Sequence, residues 1–82
     1  MSGWVEAEGI VLSARLTARV IEGVAVELWL AVTLPSGARM PVALSSVIAR
    51  PDRARVRPGA ALPVALDPDR PSSLRIDWTR AA

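Results

Sequence analysis

The run from Val24 to Leu34 alternates without a break: Val or Leu fills every even position, and Ala25, Glu27, Trp29, Ala31 and Thr33 fill the odd ones. A period of two sends successive side chains to opposite faces, so this run is a long half-buried β-strand with its aliphatics inward and Trp29 outward. It organises its neighbours into a small all-β domain.

The parity of the other apolar residues places the remaining strands. Strand one runs from about Trp4 to Val20. Val5 and Ala7 are odd, whereas Ile10, Leu12, Ala14 and Leu16 are even, and Gly9 stands at the change. A glycine at a change of phase marks a bulge, which bends a strand as barrel closure requires. Residues 4–8 are then free to pair with a different neighbour from residues 10–20. Strand two is Val24–Leu34. Pairing Val20 with Val24 keeps even residues inward on both strands and leaves Ile21-Glu22-Gly23 as a three-residue loop closed by glycine. That register sets Arg15 directly across from Trp29. A two-residue Glu-Gly turn is rejected because it puts Thr17 and Arg19 on the core face. Strand three, about Ala38–Ser46, carries Met40, Val42 and Leu44 inward and follows a second three-residue loop, Pro35-Ser36-Gly37. Pro41 lacks an N–H, so its nitrogen must face an open edge or a break in pairing.

Residues 47–59 break the alternation; Pro51 at the start of Arg50–Arg55 allows one helical turn, α or 3-10. Arg57-Pro58-Gly59 turns into strand four, Ala61–Leu66, with Leu62, Val64 and Leu66 inward. A proline-bracketed turn, Asp67–Ser73, leads to strand five, Leu74–Thr79, with Leu74, Ile76 and Trp78 inward and Arg75, Asp77 and Thr79 outward. The tail 80–82 is expected to fray. The 82 residues leave room for one domain, 1–82, and one core. The fold class is thus a small five-stranded antiparallel barrel with at most one short helical turn. An oligonucleotide/oligosaccharide-binding (OB-like) barrel and an SH3-like barrel both accept this strand order.

The segment Val56–Pro71, with its Pro-Gly turn, alternating Val/Leu strand and Asp-Pro-x-x-Pro turn, resembles the end of a β-barrel domain of unknown function found in many bacterial, especially actinobacterial, proteins. The similarity covers about the second half of the chain. Members of that family often lie beside membrane helices, and no stretch here approaches the ~18–20 apolar residues of a membrane span. The resemblance implies a fold and a non-enzymatic role and supplies no catalytic residue.

Composition narrows the chemistry. The chain has no Cys, His, Lys, Tyr, Phe, Asn or Gln and is rich in Ala, Arg, Val and Pro, the usage of a high-GC bacterial genome. Without His, Cys, Lys or Tyr, general acid–base work falls to carboxylate pairs such as Asp67 and Asp69, or Glu6 and Glu8. The first pair flanks a turn proline, where Asp caps its own backbone, and the second lies on the open face of a strand. A serine nucleophile has no base beside it. Neither a metal nor a cofactor site is legible, no small-molecule substrate is evident, and we expect no enzymatic activity. The N-terminus lacks a basic segment followed by an apolar one, and with no Cys the chain fits the cytoplasm.

Ten Arg against eight acids give a net charge of only +2, and with Arg the sole base this is weak support for nucleic acid. The first 34 residues carry two Arg against four Glu, the rest eight Arg against four Asp. The densest basic cluster is Arg50, Arg53, Arg55 and Arg57, which a solvated loop explains.

Trp29 is the sharpest anomaly, a large aromatic on an outer face with Arg15 expected on one side and Ala43 on the other. Either Arg15 and the segment around Trp4 shield the ring, or the ring meets a partner, since Trp and Arg are enriched at interface hot spots. The small neighbours Ala25, Ala31 and Ala43 make a smooth apolar surround that favours a protein interface, self-association included. Partner-binding candidates are therefore Trp29, Arg15, Arg39, Ala31 and Ala43. The rival reading is an OB-like single-strand binder that stacks bases on Trp29, with Arg15, Arg19 and Arg39 on the same face, and uses the Arg50–Arg57 cluster.

Overall fold

The computed structural model of the protein describes residues 4–78 and 80. Five strands, β1 (Val5–Val20), β2 (Gly23–Thr33), β3 (Arg39–Ile48), β4 (Ala61–Asp67) and β5 (Arg70–Ile76), form one antiparallel sheet in the order β3-β2-β1-β4-β5. A 3-10 turn, Arg50–Arg55, with Pro51 in its first turn, links β3 to β4. The sheet curls into a nearly closed barrel in which β3 and β5, its two ends, approach each other without ladder pairing. The long β1 holds the barrel together: residues Val5–Ile10 pair with β4 and Glu8–Val20 with β2.

The alternation of β2 holds throughout: Val24, Val26, Leu28, Leu30 and Val32 are buried. They meet Val11, Val42, Ile48, Leu62, Val64, Leu66 and Leu74 in a single core. The β2–β3 hairpin has the expected register and loop, but β3 runs two residues past the expected end at Ser46, so Val47 and Ile48 continue the ladder to Val24–Ile48. Leu34 N–H donates to the Ala38 carbonyl at 2.8 Å, Gly37 N–H returns to the Leu34 carbonyl at 2.8 Å, and Gly37 takes the left-handed conformation. Pro41 lies on an end strand of the sheet, as its missing donor demands.

The β1–β2 hairpin differs from the sequence reading in three respects. The bulge is at Leu12 rather than Gly9, and a second lies at Thr17, each the extra residue at a register shift. Gly9 continues the inward series from Val5 and Ala7 to Val11, so Ile10 pairs with Ala31 on the outer side and Leu12 is 54% exposed. Two bulges move the pairing by two residues, and the hairpin closes through a two-residue turn, Ile21-Glu22, with Val20 opposite Gly23. Beyond Thr17 the phase flips again, so Arg19 stands opposite Val24 instead of on the outer face, and it is exposed. Thr17 Oγ1 donates to the Ala25 carbonyl at 3.1 Å, bridging the bulge to β2.

Strand five begins earlier than the prolines suggest. Pro68-Asp69 alone makes the turn, with Asp67 opposite Arg70. Asp67 Oδ1 accepts the Asp69 N–H at 3.0 Å, and Ser73 Oγ accepts the Asp67 N–H at 3.1 Å while donating to the Arg70 carbonyl at 2.7 Å. Asp67→Ala removes one of these bonds, and we expect a stability loss of about 1 kcal/mol in urea unfolding; an unchanged midpoint would mean the turn holds without it. Leu74 is buried and Ile76 and Trp78 pack against the core, although Trp78 lies beyond the end of β5. The outward position expected for Thr79 lies outside the described residues, as do Ala81 and Ala82. Arg80, expected to fray, is tied down: its guanidinium bonds Asp77 at 2.8 Å and the Val64 carbonyl at 3.2 Å and lies 3.6 Å from Glu6.

Candidate interaction surface

Outward side chains of β1, β2 and β3 stand in cross-strand rows because directly paired residues share a face. One row is Ser13, Trp29 and Ala43; the next is Arg15, Glu27 and Ser45. On the other side of Trp29 lies Ile10, Ala31 and Pro41. Trp29 is 52% exposed because both cross-strand neighbours are small and cannot cover an indole. The two central rows frame a groove of about 460 Å³, floored by the backbone around Leu28 and Leu44.

Arg15 is not across from Trp29. The two-residue turn Ile21-Glu22 and the bulge at Thr17 set β1 so that Ser13 takes that place and Arg15 faces Glu27, with 3.8 Å between guanidinium and carboxylate. Both side chains are more than half exposed, so this pair contributes at most about 1 kcal/mol. Trp4 does not shield Trp29 either. It lies beside Ala65 on the β4 side of the barrel, with the Arg75 guanidinium 5.6 Å from its ring centroid.

Of the partner-binding candidates, Trp29, Arg15 and Ala43 line one groove and Ala31 adjoins it in the next row. Arg39 shares the outer side but pairs with Thr33, four residues and about 13 Å along β3 from Ala43. Ser13, Glu27, Ser45 and the exposed Leu12 belong to this surface and are absent from the sequence-derived set. The triplet Ile10-Val11-Leu12 held the signal for Leu12, since three successive aliphatics cannot all obey one alternation, whereas Ser13, Glu27 and Ser45 are outward by the same parity as Trp29.

The basic cluster lies elsewhere. Arg50, Arg53 and Arg55 belong to the 3-10 turn and Arg57 to the turn after it. Arg55 is 3.6 Å from Asp52, and Arg53 borders a small depression with Ala14, Leu16, Val26 and Val56. None of the four lines the Trp29 groove.

No family model, curated protein or solved structure matches this chain. Function rests on the surface itself. No helix among the described residues is long and apolar enough to cross a membrane.

Proposed function

We propose that this barrel is a non-catalytic interaction module that binds a protein surface through the outer face of β1–β3, with Trp29 as its anchor. The observation that carries the reading is a half-exposed indole beside small residues and a facing Arg–Glu pair. Aromatic anchors of this kind dominate the energetics of protein interfaces. Local charge favours protein over nucleic acid: Glu27 offsets Arg15 beside the groove, and the Arg50–Arg57 cluster lies outside it. A single-strand binder instead aligns aromatics with a continuous basic track. The order β3-β2-β1-β4-β5, with β1 shared by both halves and a short helical turn before β4, supports an OB-like assignment over an SH3-like one. Residue usage and the absence of Cys support a bacterial, cytoplasmic setting.

A photo-reactive residue at Ala43, with a control at Ala54 in the 3-10 turn, tests this in the native cells. Protein adducts from position 43 and none from position 54 are the expected result. Nucleic-acid adducts from either position, or no adduct from position 43, overturn it.

A further inference from the structure

Building on the protein-contact reading of the Trp29 face, we infer that its partner is a second copy of this chain, docked face to face about a two-fold axis running along the strands between β1 and β2. The outward pairs across these two strands carry the inference. Each joins large to small or cation to anion: Ile10 with Ala31, Ser13 with Trp29, Arg15 with Glu27, and then Ala18 with Ala25, which is small on both sides.

In a two-fold interface, residue i of one copy meets j of the other and j meets i. With the axis between β1 and β2, the members of each cross-strand pair are the residues exchanged. Trp29 of each copy then lies over Ser13 of the other, where a small side chain leaves room, and beside the exposed Leu12. Arg15 of each copy meets Glu27 of the other. A two-fold running across the strands through the Arg15–Glu27 row sets Arg15 on Arg15 and Glu27 on Glu27, so charge favours the first axis over that one. The Arg15–Glu27 pair within one chain spans 3.8 Å, with the Arg side chain 78% exposed, so most of its five donors face solvent and can serve a second carboxylate. Ala18 and Ala25 let the backbones approach closely in the last row.

Sedimentation equilibrium on the full chain tests this with Arg15→Glu, Glu27→Arg and an equimolar mixture of the two variants. Wild type is expected to dimerise in a concentration-dependent way, and each variant alone to weaken dimerisation by roughly tenfold or more through like-charge contact. The mixture should recover wild-type affinity, because both inter-copy pairs are again of opposite sign, and only folded chains can produce that recovery. Trp29→Ala should weaken the dimer as well. A wild type that stays monomeric, or a mixture no tighter than its components, overturns the inference. If position 43 nonetheless cross-links a different protein, the protein-contact reading stands while the second copy falls; if it cross-links no protein, both fall.

Discussion

Leu30→Ala should remove a large share of the domain's stability, while Leu12→Ala leaves it nearly unchanged. Both leucines occupy even positions, and the even-inward parity read from Ile10 to Leu16 and from Val24 to Leu34 treats them alike. Leu30 is fully buried, in contact with a core that also holds Leu28, Val32 and Leu66. Truncating such a leucine costs about 2–5 kcal/mol, and a domain of this size has a total stability near the low end of the ~5–15 kcal/mol range. Leu12 is 54% exposed at the bulge, and its truncation should cost no more than about 0.5 kcal/mol. Urea titrations of the two variants at equal m-value read the difference directly. Equal losses would place Leu12 inside the barrel and remove the bulge from β1.

That contrast also explains which parts of the fold could be read from the residues. The β2–β3 hairpin was legible because neither strand has a bulge and its loop announces itself through Pro35 and Gly37. One constant register from Thr33–Arg39 to Val26–Ser46 then follows from alternation alone, and the adjacent Val47 and Ile48, which break that alternation in the sequence, simply continue the register. The β1–β2 hairpin was not, because its bulges answer a non-local demand. β1 must pair with β4 over its first residues and with β2 over the rest, and the curvature this requires is taken up at Leu12 and Thr17. Gly9 attracted the bulge assignment by residue type, yet it lies buried in the inward series opposite Val32 and Leu62. The sequence sets the start of strand five too late because Pro71 and two serines look like loop, whereas Pro68-Asp69 turns the chain unaided.

The candidate surface inherits both outcomes. Trp29 and Ala43 were placed correctly, since they depend on β2 alternation and the β2–β3 register. Arg15 stands one row away from the place that the three-residue loop predicts, because its partner depends on the length of the Ile21-Glu22 turn and on the bulge at Thr17. The correction changes the chemistry: an Arg over an indole becomes an Arg facing Glu27, with Ser13 left beside the ring. A shielded aromatic becomes an open one next to a neutral ion pair, which is what makes self-complementary docking feasible.

Gly23→Ala is the second substitution expected to have a large effect, and its comparison with Gly37→Ala separates two reasons for glycine in a hairpin. Gly23 opens β2, is buried, and lies against the end of β3. A Cβ built there comes within 2.8 Å of the Ile48 carbonyl carbon, closer still to its oxygen, and 3.1 Å from Ala49 Cα. All three are backbone atoms, so no change of rotamer can relieve the clash; either β2 or the end of β3 must move, at the Val24–Ile48 pair that anchors the fully buried Ile48. A loss of about 3 kcal/mol or more is expected. Gly37 has φ of +90° with nothing near the added carbon, so alanine there meets only the backbone penalty of a left-handed residue, about 1–2 kcal/mol. Thermal and urea unfolding of the two variants should therefore rank Gly23→Ala well below Gly37→Ala. Amide exchange should accelerate most around Ile48 in the former and stay local to the Pro35–Gly37 loop in the latter. Equal losses would mean that β3 does not run close beneath the start of β2, and the seal at that end of the barrel would have to be found in other residues.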